Sequence, residues 1–345
     1  MKNFKSLAAL TAASMISLAS VATPIFAADA VTPTFGTEVT TDQGYKPATA
    51  VEFDYVIIPA TGEMAWNENA AGGTVFNGVE QVGLVVSTAT NTDNAETPNT
   101  IEYTPSQITC TTPNSFPGAG VFKYTIAATP KTGDNYAGIT VDTSVYELYV
   151  NVEWDGENKV ITGYSFRKPG VGGDDGKVPN LVFAHTYTTN PLEITKTVTG
   201  NQGNKNQPFN FTLTIDKKAG QTFKVTGNTG VISPTEEEGK YIYHFQLADG
   251  QSVNVEGLTA DDKYTVSEDA AGYNPSYSIN KGTSVADNET PATPVAGDKA
   301  ETVDFTNTKN GNVPTGILMT AAPYVAVVGL GGVFAGMFFR RKRED

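Results

Sequence analysis

Apolar and polar residues alternate in short runs along most of this chain, with few stretches of helical period. Tyr146, Leu148, Val150, Val152 and Trp154 interleave with Glu147, Tyr149, Asn151 and Glu153. A period of two predicts a strand with one buried face. Asp155-Gly156-Glu157-Asn158 then predicts a hairpin turn into a second strand over Lys159–Phe166. Thr, Val, Tyr and Phe recur between closely spaced turn residues, the pattern of β-sandwich domains. The two ends break the pattern. Residues 1–30 carry Lys2 and Lys5, an apolar stretch interrupted by Pro24, and small residues at Ala28-Asp29-Ala30, with Ala27 as an alternative cleavage position. This is a signal-peptide layout. Ile317–Phe339 is an apolar run long enough to cross a bilayer, followed by Arg340, Arg341, Lys342 and Arg343, which mark the cytoplasmic side.

Between these ends the alternation repeats itself. Ala50–Ile57 is similar to Pro208–Ile215, Tyr124–Ala128 to Tyr264–Glu268, and Leu181–His185 to Val303–Asn307, in the same order. The chain therefore reads as two copies of one sandwich: residues 1–30 a signal peptide, 31–190 a first domain, 191–311 a second domain and 312–345 a terminal signal. The first copy carries Gly- and Asn-rich insertions around Gly62–Gly73 and Thr88–Asn99.

Charge narrows the partners. Removing six cations and three acids with the two ends leaves 17 basic and 34 acidic residues, a net of −17. Nucleic acid and anionic lipid are poor partners for such a surface. Cys110 is the only cysteine, so no intrachain disulfide can form. It sits in the strand-like Ser106–Cys110 and is expected to pack as a small hydrophobe, a free thiol or thioester being the alternative. His185 and His244 are far apart and are expected to be satisfied core residues, so no metal and no cofactor is expected. No nucleophile–base pair or phosphate loop is recognisable, and the chain does not read as an enzyme.

Asn312-Val313-Pro314-Thr315-Gly316, followed by the apolar run and basic cluster, resembles a sortase sorting signal. That resemblance implies cleavage between Thr315 and Gly316 and transfer of the Thr315 carboxyl to an amine. In the second copy Lys196, Glu268 and Asn307 fall on its first, middle and last strands. They resemble the Lys–Glu–Asn triad of intramolecular isopeptide domains in Gram-positive pilins. The resemblance implies two tandem Ig-like (CnaB-type) sandwiches in an all-β chain with a transmembrane sorting helix. It also implies a bond from Lys196 to Asn307, formed with the help of Glu268. Burial would make the amine neutral and the carboxyl protonated, which is what the chemistry needs. The first copy has Ala128 and His185 in the corresponding places and no lysine in Thr37–Thr40, so no bond is expected there, and none is supported for Lys46.

Gly176-Lys177-Val178-Pro179-Asn180 resembles the Lys-Val-Pro segment of the streptococcal T-antigen-type major pilins, in which the lysine accepts the preceding subunit's C-terminal threonine. The likeness to that family is closest in Val313–Tyr324 and the second domain, and looser in the first. It implies a pilus shaft subunit at the cell surface, joined from Thr315 to Lys177 of the next copy. Its partners would be a pilus-type sortase, further copies of itself, and peptidoglycan or a basal pilin. A host ligand could also engage the insertions. The alternative is a monomeric adhesin anchored once to the cell wall.

Overall fold

The computed structural model describes residues 31–92, 99–133, 135–260, 262–294 and 300–311. The signal peptide and the terminal signal, with Val313, Pro314, Thr315 and Gly316, lie outside the described residues. The chain is all-β, and its strands fall into two groups on either side of Thr188-Thr189.

In the first group the principal strands are β1 (Thr34–Thr41), β2 (Glu52–Pro59), β3 (Gly120–Thr129), β4 (Val145–Asp155), β5 (Asn158–Arg167), β6 (Lys177–Val178) and β7 (Val182–Tyr187). One sheet centres on β1 lying parallel to β7, with short strands on either side. The other runs β6-β5-β4-β3-β2. The alternation read in Tyr146–Trp154 is β4: Leu148, Val150 and Val152 face the core. Trp154 keeps the inward parity but is 51% exposed near the hairpin turn. The turn falls at Gly156-Glu157, where Gly156 takes φ 62°, a left-handed conformation that glycine adopts without a Cβ penalty.

In the second group the principal strands are β8 (Asn190–Thr199), β9 (Phe209–Asp216), β10 (Lys240–Leu247), β11 (Ser252–Leu258), β12 (Lys263–Glu268), β13 (Asn274–Ile279) and β14 (Glu301–Thr308). One sheet contains β11-β8-β14-β13 and the other β10-β9-β12. Here too the first strand, β8, lies parallel to the last, β14. Each group encloses its own apolar core, dominated by Phe, Tyr, Val, Leu and Ile from inward positions of both sheets.

Only Thr188 and Thr189 separate β7 from β8. The loop before β2 straps the halves together. Thr49 N donates to Ala219 O (2.8 Å), Lys46 N to Thr222 Oγ1 (2.9 Å), and Tyr45 Oη to Glu256 Oε2 (2.5 Å). Buried Gln221 donates through Nε2 to Asp262 Oδ2 (2.7 Å) and lies 3.5 Å from Tyr187 Oη across the joint. Gly138 closes the other side: a Cβ there would stand 2.4 Å from Thr188 O and 2.9 Å from Thr259 Cγ2.

Two sequence expectations change. His244 is exposed on the outer face of β10, with Nδ1 3.1 Å from Thr212 Oγ1. Its neighbour Tyr243 takes the buried position, so the strand's parity excludes a core role for the histidine. The matching of Ala50–Ile57 to Pro208–Ile215 shifts by two residues. Phe211 pairs with Glu268, and the residue that pairs with Ala128 is Tyr55, not Phe53. Cys110 is half-buried, its thiol donating to Val82 O (3.2 Å), and burial pushes its pKa up.

The first core holds a polar cluster. His185 is fully buried and stacked on Phe53, with centroids 3.8 Å apart. Its Nδ1 accepts the Asp142 backbone N–H (2.9 Å), so the ring proton sits on Nε2, 3.4 Å from Tyr55 Oη. Tyr55 Oη is in turn hydrogen-bonded to Thr37 Oγ1. Protonating Nδ1 would set a donor against a donor. Burial pushes the His185 pKa down to about 4, against a smaller upward pull from Asp142. The depressed value means that the native state refuses a proton the unfolded chain accepts. The stability is therefore complete above pH 6.5 and is lost as pH falls from 6.5 toward 4. The slope is about 1.4 kcal/mol per pH unit, roughly 3 kcal/mol in all. Both tryptophans, Trp66 and Trp154, lie in this half, so their fluorescence follows its unfolding alone. Denaturant titrations across that pH window should show this slope in the parent protein and a flatter one in His185→Asn; equal slopes would remove His185 as the titrating group.

Candidate functional site

Alternation along β8 buries Leu192, Ile194, Lys196 and Val198 and turns Glu193, Thr195 and Thr197 away from the core. A lysine thus occupies a core position, 1% exposed. On β14 the same alternation buries Val303, Phe305 and Asn307. The parallel register sets Lys196 opposite Phe305 and Val198 opposite Asn307, so the two polar side chains stand one step apart on the same inner face. Glu268, the last residue of β12, reaches them from the opposite sheet, where it pairs with Phe211.

The three groups meet at hydrogen-bond distance. Lys196 Nζ is 2.7 Å from Glu268 Oε1, and Asn307 Nδ2 donates to the same oxygen at 2.7 Å. The side chains of Lys196 and Glu268 are closed to solvent. The Lys196 Nζ lies 4.5 Å from the ring centroid of Phe209 and 6.0 Å from that of Phe211, and Phe305 packs edge-on against Phe211. Burial pushes the Lys196 amine down, with Glu268 pulling it back. Burial pushes the Glu268 carboxyl up, with Lys196 and Asn307 opposing. Both shifts favour the neutral pair, amine and carboxylic acid, over ammonium and carboxylate. Among the described residues, Glu268 Oε2 and Asn307 Oδ1 have no hydrogen-bond partner. Half a turn of the amide would bring Oδ1 to Glu268, which in its protonated form can donate to it.

The arrangement suits one reaction. Protonated Glu268 would donate to Asn307 Oδ1 while the neutral amine attacks Cγ, and the carboxyl would then relay a proton from the amine nitrogen to the leaving group. The Nζ–Cγ bond would form, the Cγ–Nδ2 bond would break, and ammonia would depart.

The corresponding places in the first half hold no such set. By register Thr37, opposite Phe183, stands where Lys196 stands, and His185, opposite Val39, where Asn307 stands. Ala128 occupies the ladder position of Glu268, and the Tyr55 hydroxyl from the facing strand fills the space it leaves. Tyr55 had no signal in the sequence, since a tyrosine in an alternating strand reads as core. Lys46 lies in the strap against the second half, away from either parallel strand pair.

Lys177 is in a different setting, on the two-residue edge strand β6, opposite Arg167. Its side chain is 48% exposed and 2.7 Å from Asp174 Oδ1. The preceding Gly-rich loop is built rather than loose. Lys168 N donates to Gly176 O (2.8 Å), and the Arg167 guanidinium donates to Gly173 O. A Cβ on Gly176 would come within 2.1 Å of Val171 O, so this turn needs glycine for close approach.

A family model described as a domain of unknown function, DUF7601, matches residues 190–309, the half that carries the triad. The pilus tip adhesin Cpa of Streptococcus pyogenes is 36% identical over 145 residues, 42% of this chain and 20% of the adhesin. Among solved structures, a mutant of the major pilin from Streptococcus pyogenes superposes with a TM-score of 0.64 at 25% identity, over 82% of this chain and 100% of that one. Another Streptococcus pyogenes major pilin shares the fold, with a TM-score of 0.63 at 20% identity, over 81% of this chain and 98% of that one. A pilin from Streptococcus pyogenes serotype M1 is 30% identical over 292 residues, 79% of this chain and 81% of the relative. With an all-β architecture shared over 82% of the chain and identity sustained across four-fifths of the relative, the chain belongs to the pilin family.

Proposed function

We propose that this chain is a shaft subunit of a cell-surface pilus, polymerised by a sortase. The Thr315 carboxyl of one copy is transferred to Lys177 Nζ of another, and each copy carries an internal Lys196–Asn307 amide formed with Glu268. The observation that carries the internal bond is the buried meeting of Lys196 on the first strand, Asn307 on the last strand and Glu268 on the opposite sheet. The exposure of Lys177 on an edge strand, held by a built loop, supports the acceptor role. A head-to-tail joint is a heterologous contact, and one that does not close makes a filament. The signal peptide of residues 1–30 and the sorting segment of 312–345 belong to this reading as export and assembly devices, and residues 1–30 and 316–345 are absent from the finished subunit. The two halves are read as tandem Ig-like domains, 31–190 and 191–311.

The internal amide would close a loop of about 110 residues, which in the chain-entropy account contributes about 4–5 kcal/mol to the second half. The mature protein is expected to weigh one ammonia less than its sequence. Glu268→Gln should restore that mass and lower the unfolding free energy of the second half by at least the same 4–5 kcal/mol. A full-mass parent protein would rule the bond out, and a loss of two ammonias would show a second bond in the first half.

Cell-wall extracts boiled in detergent are expected to show a ladder of multimers that collapses to the single subunit in Lys177→Ala. A ladder that survives the substitution would move the acceptor to another lysine. A single wall-bound band in the parent protein would favour the monomeric adhesin instead.

A further inference from the structure

The proposed joint is short. Gly311 is tied back to the base of the second half, its N–H donating to Asn201 Oδ1 (2.8 Å) and its carbonyl accepting from Asn201 Nδ2 (3.0 Å). Free reach therefore begins at Asn312, four residues from the acyl carbon of Thr315. Four residues span at most about 14 Å and an extended lysine side chain adds about 6 Å, giving roughly 20 Å in all.

The hairpin of β4 and β5 projects farther than that. Lys177 is level with Arg167, and Arg167 with Glu147. From Glu147 to Trp154 is seven residues along β4, about 23 Å at the rise of an extended strand. The hairpin points away from the second half. β2 begins just after the strap, Asp54 near its start pairs with Thr129, and the Val145 end of β4 pairs with Ala127 beside it. A filament advances only if the next copy arrives from the hairpin side. Even a fully extended joint then leaves the base of the arriving copy no higher than the hairpin tip.

We infer that the base of each copy's second half packs beside the β4–β5 hairpin of its neighbour, with Trp154 as the apolar anchor of that contact. The occupant is a second copy of this chain, and the inference rests on the Thr315-to-Lys177 reading. The surfaces suit each other. Trp154 offers an indole 51% exposed at the chain's distal end, with Lys159 Nζ 5.1 Å from its ring centroid. Glu153 and Asp155 flank it in sequence and Glu157 lies in the adjoining turn, so the hairpin tip carries several acids. The base presents Lys205, its side chain 70% exposed and its Nζ 3.1 Å from Asp249 Oδ2, within a polar loop of Asn201, Gln202, Asn204 and Asn206. A half-exposed tryptophan amid polar groups is the composition of an interface anchor.

The chain's two tryptophans make the contact readable. In Trp66→Phe, Trp154 is the sole indole, and acrylamide quenching compares the purified subunit with the covalent polymer. The polymer should show a blue-shifted emission and a quenching constant several-fold lower. Hydroxyl-radical oxidation of Trp154 in the unsubstituted chain, read by mass spectrometry, gives the same comparison without relying on the variant's folding. Equal accessibility in subunit and Lys177-linked polymer would overturn the contact while leaving the joint intact. Trp154 already protected in the monomeric Lys177→Ala protein would overturn it as well. A polymer that persists in Lys177→Ala would overturn both the joint and the contact deduced from it.

Discussion

Each half of this molecule depends on its first strand lying parallel to its last. Parallel neighbours cannot be joined by a tight turn, so the rest of the half is interposed between them. The same register recurs in both halves: Thr37 opposite Phe183 and Lys196 opposite Phe305. This pairing brings the two ends of each half into a single core. It also places polar side chains from both ends one step apart in that core, where a bond closes almost the largest loop available. Closing a long loop removes most freedom from the unfolded chain, which is the most that one covalent link can contribute. A chain with one cysteine has no disulfide route to that effect.

The two halves fill this position differently, and the difference is one of charge. A lysine at 1% exposure with no partner would cost several kcal/mol, so Lys196 is tenable only with Glu268 beside it. Removing the carboxylate alone would strand the amine. Coordinated replacement is therefore the stable alternative, and the first half shows it: Thr37, Tyr55, Ala128 and His185 replace the set with neutral groups. Their hydrogen bonds satisfy one another, and a ring stacked on Phe53 supplies the packing. The second half exchanges comfort for reactivity, holding an amine and a carboxyl that are both driven toward their neutral forms.

Much of this was legible in the chain because period-two alternation states which residues point inward. It located β4, β5 and their turn, and the strand positions of Lys196, Glu268 and Asn307. Parity also misled near the end of a strand: Trp154 reads as buried, yet it is 51% exposed. His244 reads as core only if Tyr243 is ignored, and a tyrosine next to it in sequence settles which of the two points inward. Tyr55 was invisible, since its role comes from a hydroxyl crossing between sheets, and no local pattern encodes that distance. The two-residue shift between copies was hidden for a related reason. Phe53 and Tyr55 are both aromatic inward residues, and only the ladder to Ala128 tells them apart. The strap of Tyr45–Thr49 is irregular backbone whose partners lie 170 to 211 residues away, beyond any sequence periodicity.

The positions of the proposed links would make an internal bond useful in only one half. Tension entering at Lys177 follows the backbone through β7 and the two-residue linker into β8. At Lys196 the amide would carry it directly to Asn307, and it leaves through Gly311 toward Thr315. Residues 197–306 then hang from the load path without bearing it. Residues 31–176 lie upstream of Lys177 and never enter it. The loaded segment, 177–196, is already extended strand over most of its length, so it has little slack to give. An internal amide in the first half would bridge β1 to β7, and β1 is outside the path. Such a bond would raise the stability of that half without shortening the route that the force takes. The second half is different, because without the proposed amide the route would pass through all of β8 to β14, every strand of which can unfold. A Lys–Glu–Asn set is thus mechanically useful at one of the two parallel strand pairs, and that is the pair at which the three residues meet.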